Sequence, residues 1–366
     1  MTVGFHSPLP PARTGVADYA AALLERLRRL GRVETGAPQA DVHLYHVGNN
    51  QLHRRIYQQA LLRPGVAVLH DAVLAHFFLG WLDRRGFLEE FVYNYGEWAR
   101  DLAAELWAGR ARSAQDPRYF SHPMLRRIAQ DSRAVLVHNP AAARLVAAHA
   151  PAARVVEIPH LFSPPELPAP VQVLRFRERL GLSGPTFLFG IFGHLREAKR
   201  VLSALRAFEA VRRGGGDVAL AVVGHFVSTD LARAAAPLLA QPGILRFGYA
   251  PEPQFWLLAS AVDACINLRY PAAGETSGIT IRLMGIGKPV LMTAGGETAR
   301  FPEGACLKVD PGAGETAMLS AFMMWLVRDR KAAPEIGRRG AAHIAEQHSL
   351  DAVARRYWEV LCACSN

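Results

Sequence analysis

Short apolar runs alternate with helical stretches along the whole chain, and this alternation limits the fold more than any other feature. Val3–Phe5, Val42–Val47, Val66–Leu69, Ala134–Val137 and Arg154–Ile158 read as strands in the first half. Thr186–Phe192, Val218–Val223, Ile244–Phe247, Val262–Leu268, Val290–Met292 and Leu307–Val309 do so in the second. Most are continuous apolar runs, the pattern of strands covered on both faces. Between them apolar residues return at helical spacing, as in Leu23, Leu24, Leu27 and Leu30. Strand, helix, strand units of this kind build parallel sheets, so the expected class is α/β. Each run ends in a polar loop, and in open α/β sheets ligands bind outside the carboxyl ends of the strands.

At 366 residues and 50% hydrophobic composition the chain can fill two cores. Prolines cluster at 159, 164, 165, 168 and 170, which is linker composition. The expected layout is a first domain over 1–165, a linker over 166–184 and a second domain over 185–347, with residues 348–366 forming a last amphipathic helix. Within the first domain, 72–133 is a mostly helical insertion rich in aromatics, Phe77, Phe78, Trp81 and Trp107 among them. Such rings pack cores most often, and they also stack on sugars or cover lipid tails.

The net charge of +10 is carried mainly by Arg, since Lys occurs only at 199, 288, 308 and 331. Base composition of the gene explains such a bias; a basic surface also draws in anionic nucleotides and is compatible with peripheral contact with acidic headgroups. No zinc-finger, RNP-like or helix-turn-helix signature accompanies the charge, so a nucleic acid partner is not expected. Cys265, Cys306, Cys362 and Cys364 contain no CxxC pair, which disfavours structural zinc and disulfides, and no metal site is expected. Without an export signal or a run of roughly 20 apolar residues, the expected location is cytoplasmic, with the inner face of the membrane as a further setting.

The loops at the strand ends carry the chemistry. After Val262–Leu268 comes Gly274-Glu275-Thr276-Ser277-Gly278, with an apolar helical stretch behind it. Unpaired amides at the start of that helix suit an anionic or hydroxyl-rich group, and Glu275 places a carboxylate beside them. An ordinary loop capped by Thr276 or Ser277 fits the same residues. After Thr186–Phe192, Gly193 allows close approach, while Arg196, Lys199 and Arg200 bring up to three cations to a strand end; facing a diphosphate they would neutralise a leaving group without a metal. A solvated helix face is the other reading. His70-Asp71 ends a strand, where a ring nitrogen can bond a substrate hydroxyl and the acid can orient it, or the histidine can be structural. His160, at the end of the Arg154–Ile158 run, is a candidate for the phosphates or for the hinge alone. There is no GxGxxG after the first strand with an acid about 20 residues on, so a dinucleotide oxidoreductase is disfavoured.

Several of these stretches resemble retaining glycosyltransferases of the GT-B superfamily, the group called glycosyltransferase family 4 or group 1. Glu275 matches the first acid of that family's donor motif, and Gly287, Lys288, Pro289 and Val290 match its Gly-x-Pro-Val turn. The second acid is replaced by Leu283. Thr14 to Tyr19 is similar to the family's N-terminal Gly loop, and the HVGNN stretch at His46–Asn50, PGVAVLHD and VHN resemble a subgroup of it. The resemblance implies a GT-B fold, two facing Rossmann-like domains with an interdomain cleft, in which the last helix crosses back to the first domain. It implies catalytic roles for His70, Lys199 and Glu275, and a donor diphosphate held by Gly15, Arg196, Lys199, Thr276, Ser277 and Gly278. It places the donor sugar against His70, Asp71, Gly274 and Glu275, and the nucleobase against Gly224, Tyr249 and Ala250. The implied partners are a UDP-, GDP- or ADP-sugar donor and a carbohydrate or lipid-linked acceptor, with no cofactor. The implied setting is cell-surface polysaccharide or glycolipid assembly. Leu283 keeps open a non-catalytic glycan- or nucleotide-binding subunit, and other GT-B enzymes, an epimerase or a phosphorylase, are further alternatives.

Overall fold

The computed structural model describes every residue except Arg13, Ser183 and Asn366. The chain divides into two compact units. Unit 1 comprises Met1–Ser163, Pro271–Thr276 and His348–Asn366, and unit 2 comprises Pro164–Tyr270 and Ser277–Gln347.

Unit 1 is built on a six-stranded sheet of β1 (Thr2–His6), β2 (Arg32–Thr35), β3 (Val42–Val47), β4 (Val66–Leu69), β5 (Ala134–Val137) and β6 (Val155–Glu157). The order is β2-β1-β3-β4-β5-β6, and every pairing is parallel. β3, β4 and β5 are buried along their whole length, β4 and β5 as unbroken apolar runs and β3 with His43 and His46 among its apolar residues. One core cluster carries Tyr57, Phe77, Phe78, Phe87, Phe91 and Tyr119, so most aromatics of the 72–133 insertion are packing residues; Trp98, 81% exposed, is not. A second cluster joins Leu23 and Leu27 to Val353, Tyr357 and Leu361 of the terminal helix Leu350–Ala363. Burying side chains of this size contributes about 1.5–3 kcal/mol each. The terminal helix is therefore an integral part of unit 1.

Unit 2 holds β7 (Phe187–Phe192), β8 (Val218–Val223), β9 (Ile244–Phe247), β10 (Ala264–Asn267), β11 (Val290–Thr293) and β12 (Leu307–Val309). The order is β12-β11-β10-β7-β8-β9, again parallel throughout. The chain starts in the middle at β7, runs out to β9, then returns beside β7 as β10 and runs the other way. The chain therefore leaves the neighbouring strands β7 and β10 in opposite directions, which makes their carboxyl ends the topological switch point at which such sheets bind ligands.

Two elements differ from the sequence expectation. β2 is an edge strand with one buried residue, Val33, so no apolar run announces it. The stretch expected as linker contains a helix, Pro170–Arg179, with proline in its first turn and no buried residue. Arg177 secures it, donating to the carbonyls of Ala261 (2.7 Å) and Thr186 (2.6 Å) and pairing with Asp263 at 3.1 Å.

Candidate functional site

In unit 2 the loops after β7 and β10 meet at the switch point: the Tyr270 amide donates to the Ala198 carbonyl at 2.7 Å. Gly193, the first residue after β7, has φ +91°, and a Cβ there would lie 2.9 Å from Lys199 Nζ. The left-handed conformation is what favours glycine here, since the lysine tip is flexible and could shift from a Cβ. The Lys199 ammonium donates to the Phe192 carbonyl at 2.9 Å, which holds it at the strand end. Arg196 is exposed and makes no ion pair among the described residues. Arg200, the third cation, is used internally: it adopts φ +54° and pairs at 2.8 Å with Glu315, whose carboxylate is buried. His194 is pushed below its ordinary pKa by loss of hydration, then by Arg196, Lys199 and His225. The edge after β7 is accordingly a positive neighbourhood.

Across the switch point, Ser277 caps the helix Gly278–Gly285, accepting from the Thr280 amide at 3.3 Å. Asn267 at the end of β10 donates to the hydroxyls of Ser277 (2.6 Å) and Thr280 (2.7 Å). Arg269, two residues on, donates to Ser277 Oγ at 3.1 Å. It brings a guanidinium to the helix start that the motif reading passed over, although a cation so soon after a buried strand was a usable signal. Leu283, in place of the family's second acid, is fully buried and faces no ligand.

The three positions expected at the nucleobase lie together at the ends of β8 and β9. A Cβ on Gly224 would come 2.1 Å from the Gly193 carbonyl oxygen, so this glycine lets the β8 loop press on the β7 loop. His225 Nε2 accepts the Tyr249 amide at 3.1 Å and ties the two strand ends together. The Tyr249 side chain is 52% exposed beside half-buried Ala250.

In unit 1 the loop Pro271–Thr276 is pinned to the ends of β4 and β5. The Ala72 amide donates to the Ala273 carbonyl at 2.8 Å, and Asn139 Nδ2 donates to the Gly274 carbonyl (2.9 Å) and to Thr276 Oγ1 (3.1 Å). Thr276 in turn donates to the His138 carbonyl at 3.3 Å, so of the two candidate caps Ser277 takes the helix and Thr276 belongs to unit 1. Gly274 has φ +70° and a Cβ on it would clash with that of Ala72 at 2.6 Å. Glu275 Oε2 accepts the Ala273 amide at 2.7 Å, which shapes the turn that presents it. Asp71 accepts the Asn49 amide at 2.8 Å and holds the loop after β3. Gly15 begins the helix Gly15–Arg28 behind its cap Thr14, and beyond its own helix and chain neighbours no atom of the described residues lies within 4 Å of a Cβ placed on it.

Histidines line the carboxyl edge of this sheet: His6 at the end of β1, His46 near the end of β3, His70 after β4, His138 after β5 and His160 beyond β6. His46 Nδ1 and His70 Nε2 are 2.9 Å apart with rings 20° from coplanar. Tyr19 lies among them, its ring centroid 4.9 Å from His70 and 4.7 Å from His160, and its hydroxyl is 2.8 Å from that of Tyr357. Burial keeps the rings neutral. It lowers His6, His53 and His138 to about 4 and His160 to about 3, and holds His46 and His70 well below the ordinary value, neighbouring histidines adding to the effect on the last three. Among the described residues no group of three or more His, Cys, Asp or Glu is arranged to hold a metal, and no helix is long and apolar enough to cross a membrane.

Two parallel six-stranded sheets with interleaved helices in one chain make this a GT-B fold. The structure is similar to Anabaena Alr3699/HepE in complex with UDP and glucose, at a TM-score of 0.70 and 14% identity over 99% of this chain and 100% of that one. It is also similar to sucrose-phosphate synthase from Thermosynechococcus elongatus, at 0.68 and 14% over 99% and 98%. WaaG, a glycosyltransferase involved in lipopolysaccharide biosynthesis, matches at 0.64 and 14% over 98% and 99%. No family model matches the sequence, and no curated protein matches it significantly. At such identities the likeness is one of fold.

Proposed function

We propose that this protein is a retaining hexosyltransferase that moves a sugar from a nucleotide-diphosphate donor to a hydroxyl acceptor. The observation that carries the reading is the positive edge of unit 2, where Lys199, Arg196 and Arg269 gather at the switch point beside the amide-rich start of the helix Gly278–Gly285. Cations and helix-start amides together suit a diphosphate and stabilise the charge that builds on it as it leaves. On the family resemblance, Gly15 serves the phosphates, and His70, Asp71, Gly274 and Glu275 serve the sugar hydroxyls. Gly224, Tyr249 and Ala250 take the base. In the reaction the bond from the anomeric carbon to the phosphate oxygen breaks, a bond to the acceptor oxygen forms on the same face, and the acceptor proton passes to the leaving phosphate. No separate base is needed on this route.

The HepE structures carry UDP, and one carries UDP-glucose, which supports a uridine donor as the first to test. WaaG acts in lipopolysaccharide biosynthesis, which supports an acceptor on a polysaccharide or glycolipid under assembly, reached from the cytoplasm. The decisive measurement is a thermal-shift panel of UDP-, GDP- and ADP-sugars on the wild type and Lys199→Ala, since a ligand of the folded state raises the melting temperature. One nucleotide-sugar should raise it in the wild type and much less in the variant. A flat panel at millimolar ligand would sink the proposal.

A second reading, a binding subunit without transfer, is favoured by Leu283, which leaves the ribose without the family's carboxylate. Slow release of nucleoside diphosphate from the bound donor separates the two, because hydrolysis needs a formed catalytic site.

A further inference from the structure

We infer that His46 is a positioning residue that fixes His70 in its Nδ1–H tautomer, so that His70 offers an N–H donor to the oxygen it meets. For catalysis the inference rests on the proposed place of His70 at the donor sugar; for the tautomer it rests on the free protein alone.

The proton positions follow from the acceptors. His138 Nδ1 lies 2.9 Å from the Ile158 carbonyl, His53 Nδ1 lies 2.8 Å from the His46 carbonyl, and His160 Nδ1 lies 2.9 Å from the Leu161 carbonyl. A carbonyl oxygen only accepts, so each of these neutral rings carries its proton on Nδ1. The Nε2 atoms of His138 and His53 are then bare lone pairs, and both are buried without a partner. His46 has the same environment: it is fully buried, its Nε2 also lacks a partner among the described residues, and the Phe5 and His46 ring centroids are 4.9 Å apart.

Two arrangements satisfy the 2.9 Å contact between His46 Nδ1 and His70 Nε2. If His70 donates, His46 must carry its proton on Nε2, an N–H buried with nothing to receive it. If His46 donates, the buried Nε2 is a lone pair, as in its two neighbours. Orphaned buried N–H groups are the rarer defect, so His46 donates. His70 Nε2 is then an acceptor and its proton sits on Nδ1, the ring nitrogen outside the cluster's hydrogen bonds. A free imidazole prefers Nε2–H, so the tautomer is imposed by His46. A residue meant to bond a sugar hydroxyl or a phosphate oxygen benefits, because its donor direction is settled before the ligand arrives.

The test is the side-chain nitrogen NMR of the full-length protein at pH 7.5, which distinguishes a protonated from a bare ring nitrogen. In the wild type His70 should show Nδ1 protonated and Nε2 bare. His46→Asp, whose carboxylate only accepts at nearly the place of Nδ1, should draw the His70 proton to Nε2, while His46→Asn, whose amide can donate there, should keep Nδ1–H. Sugar transfer, measured as kcat/KM, should fall about 10-fold in the Asp variant, the worth of one well-directed hydrogen bond, and recover in the Asn variant. A wild-type His70 protonated on Nε2 overturns the inference, and that measurement needs no variant to fold. So does a His70 that keeps Nδ1–H in a folded His46→Asp protein. If the tautomer moves as expected while transfer does not respond, the His46–His70 relation stands and the placement of His70 at the sugar fails.

Discussion

Acidification from pH 7.5 to 5.5 should loosen unit 1 selectively. His6, His53 and His138 have pKa values lowered to about 4 and His160 to about 3, against roughly 6.5 in the unfolded chain. At pH 7.5 neither state is protonated, so these groups cost nothing. As pH falls through 6.5 the unfolded chain takes up protons that the folded unit refuses, and stability falls until the folded pKa values near 4 are reached. At pH 5.5 each histidine costs about 1.4 kcal/mol, or roughly 5–6 kcal/mol for the four. His46 and His70, also depressed by burial, act in the same direction. Domains are stable by about 5–15 kcal/mol in total, so the loss is large enough to open the sheet. Hydrogen exchange read by mass spectrometry provides the assay: peptides from β3, β4 and β5 report unit 1, and those from β7 and β8 provide an internal reference, since the histidines buried among the described residues all lie in unit 1. After correction for intrinsic exchange, protection of β3–β5 should fall by several kcal/mol, and that of β7 and β8, whose unit holds only His194 and His343 as depressed histidines among the described residues, by distinctly less. A fall below about 1 kcal/mol would mean that the histidines charge within the folded sheet, and the account of their neutrality would be refuted.

Three substitutions test the remaining structure. Lys199→Ala removes a charge-assisted contact to the proposed diphosphate, so kcat/KM should drop about 10- to 150-fold, the equivalent of roughly 1.5–3 kcal/mol, with the far-UV spectrum unchanged. Gly15→Ala meets open space in the fold and should leave the urea midpoint unchanged or slightly raised, while the nucleotide-sugar Kd, measured by calorimetry, increases. Arg200→Gly relieves a left-handed conformation worth about 1 kcal/mol but strands the buried Glu315 carboxylate at a cost of about 3 kcal/mol. A net loss of about 2 kcal/mol in urea unfolding is expected, and a stabilised variant would contradict the pairing.

The fold was legible because a strand covered on both faces cannot conceal its composition: β4, β5, β7 and β8 all appear as apolar runs. β2 and the helix Pro170–Arg179 were not, since one buries a single residue and the other none. Around the candidate site, glycines and charges at strand ends were visible, while their commitments were not. Arg200 reads as a third phosphate cation until Glu315, 115 residues away, takes it. Thr276 and Ser277 read as rival caps until Asn139 draws one to unit 1. The histidines stood in plain view one by one; only the parallel order of the strands sets them side by side.

The loop Pro271–Thr276 and the terminal helix give unit 1 three separate pieces of chain. Its gene segments are therefore interleaved with those of unit 2, and neither unit can be exchanged with a relative as a single cassette. A chimaera joined only at the proline cluster would receive a first unit without Tyr357, which completes its core, and without the turn that carries Glu275. Recombination in this fold must move three fragments together, so changes of specificity are better sought by altering loops at the strand ends than by shuffling whole halves.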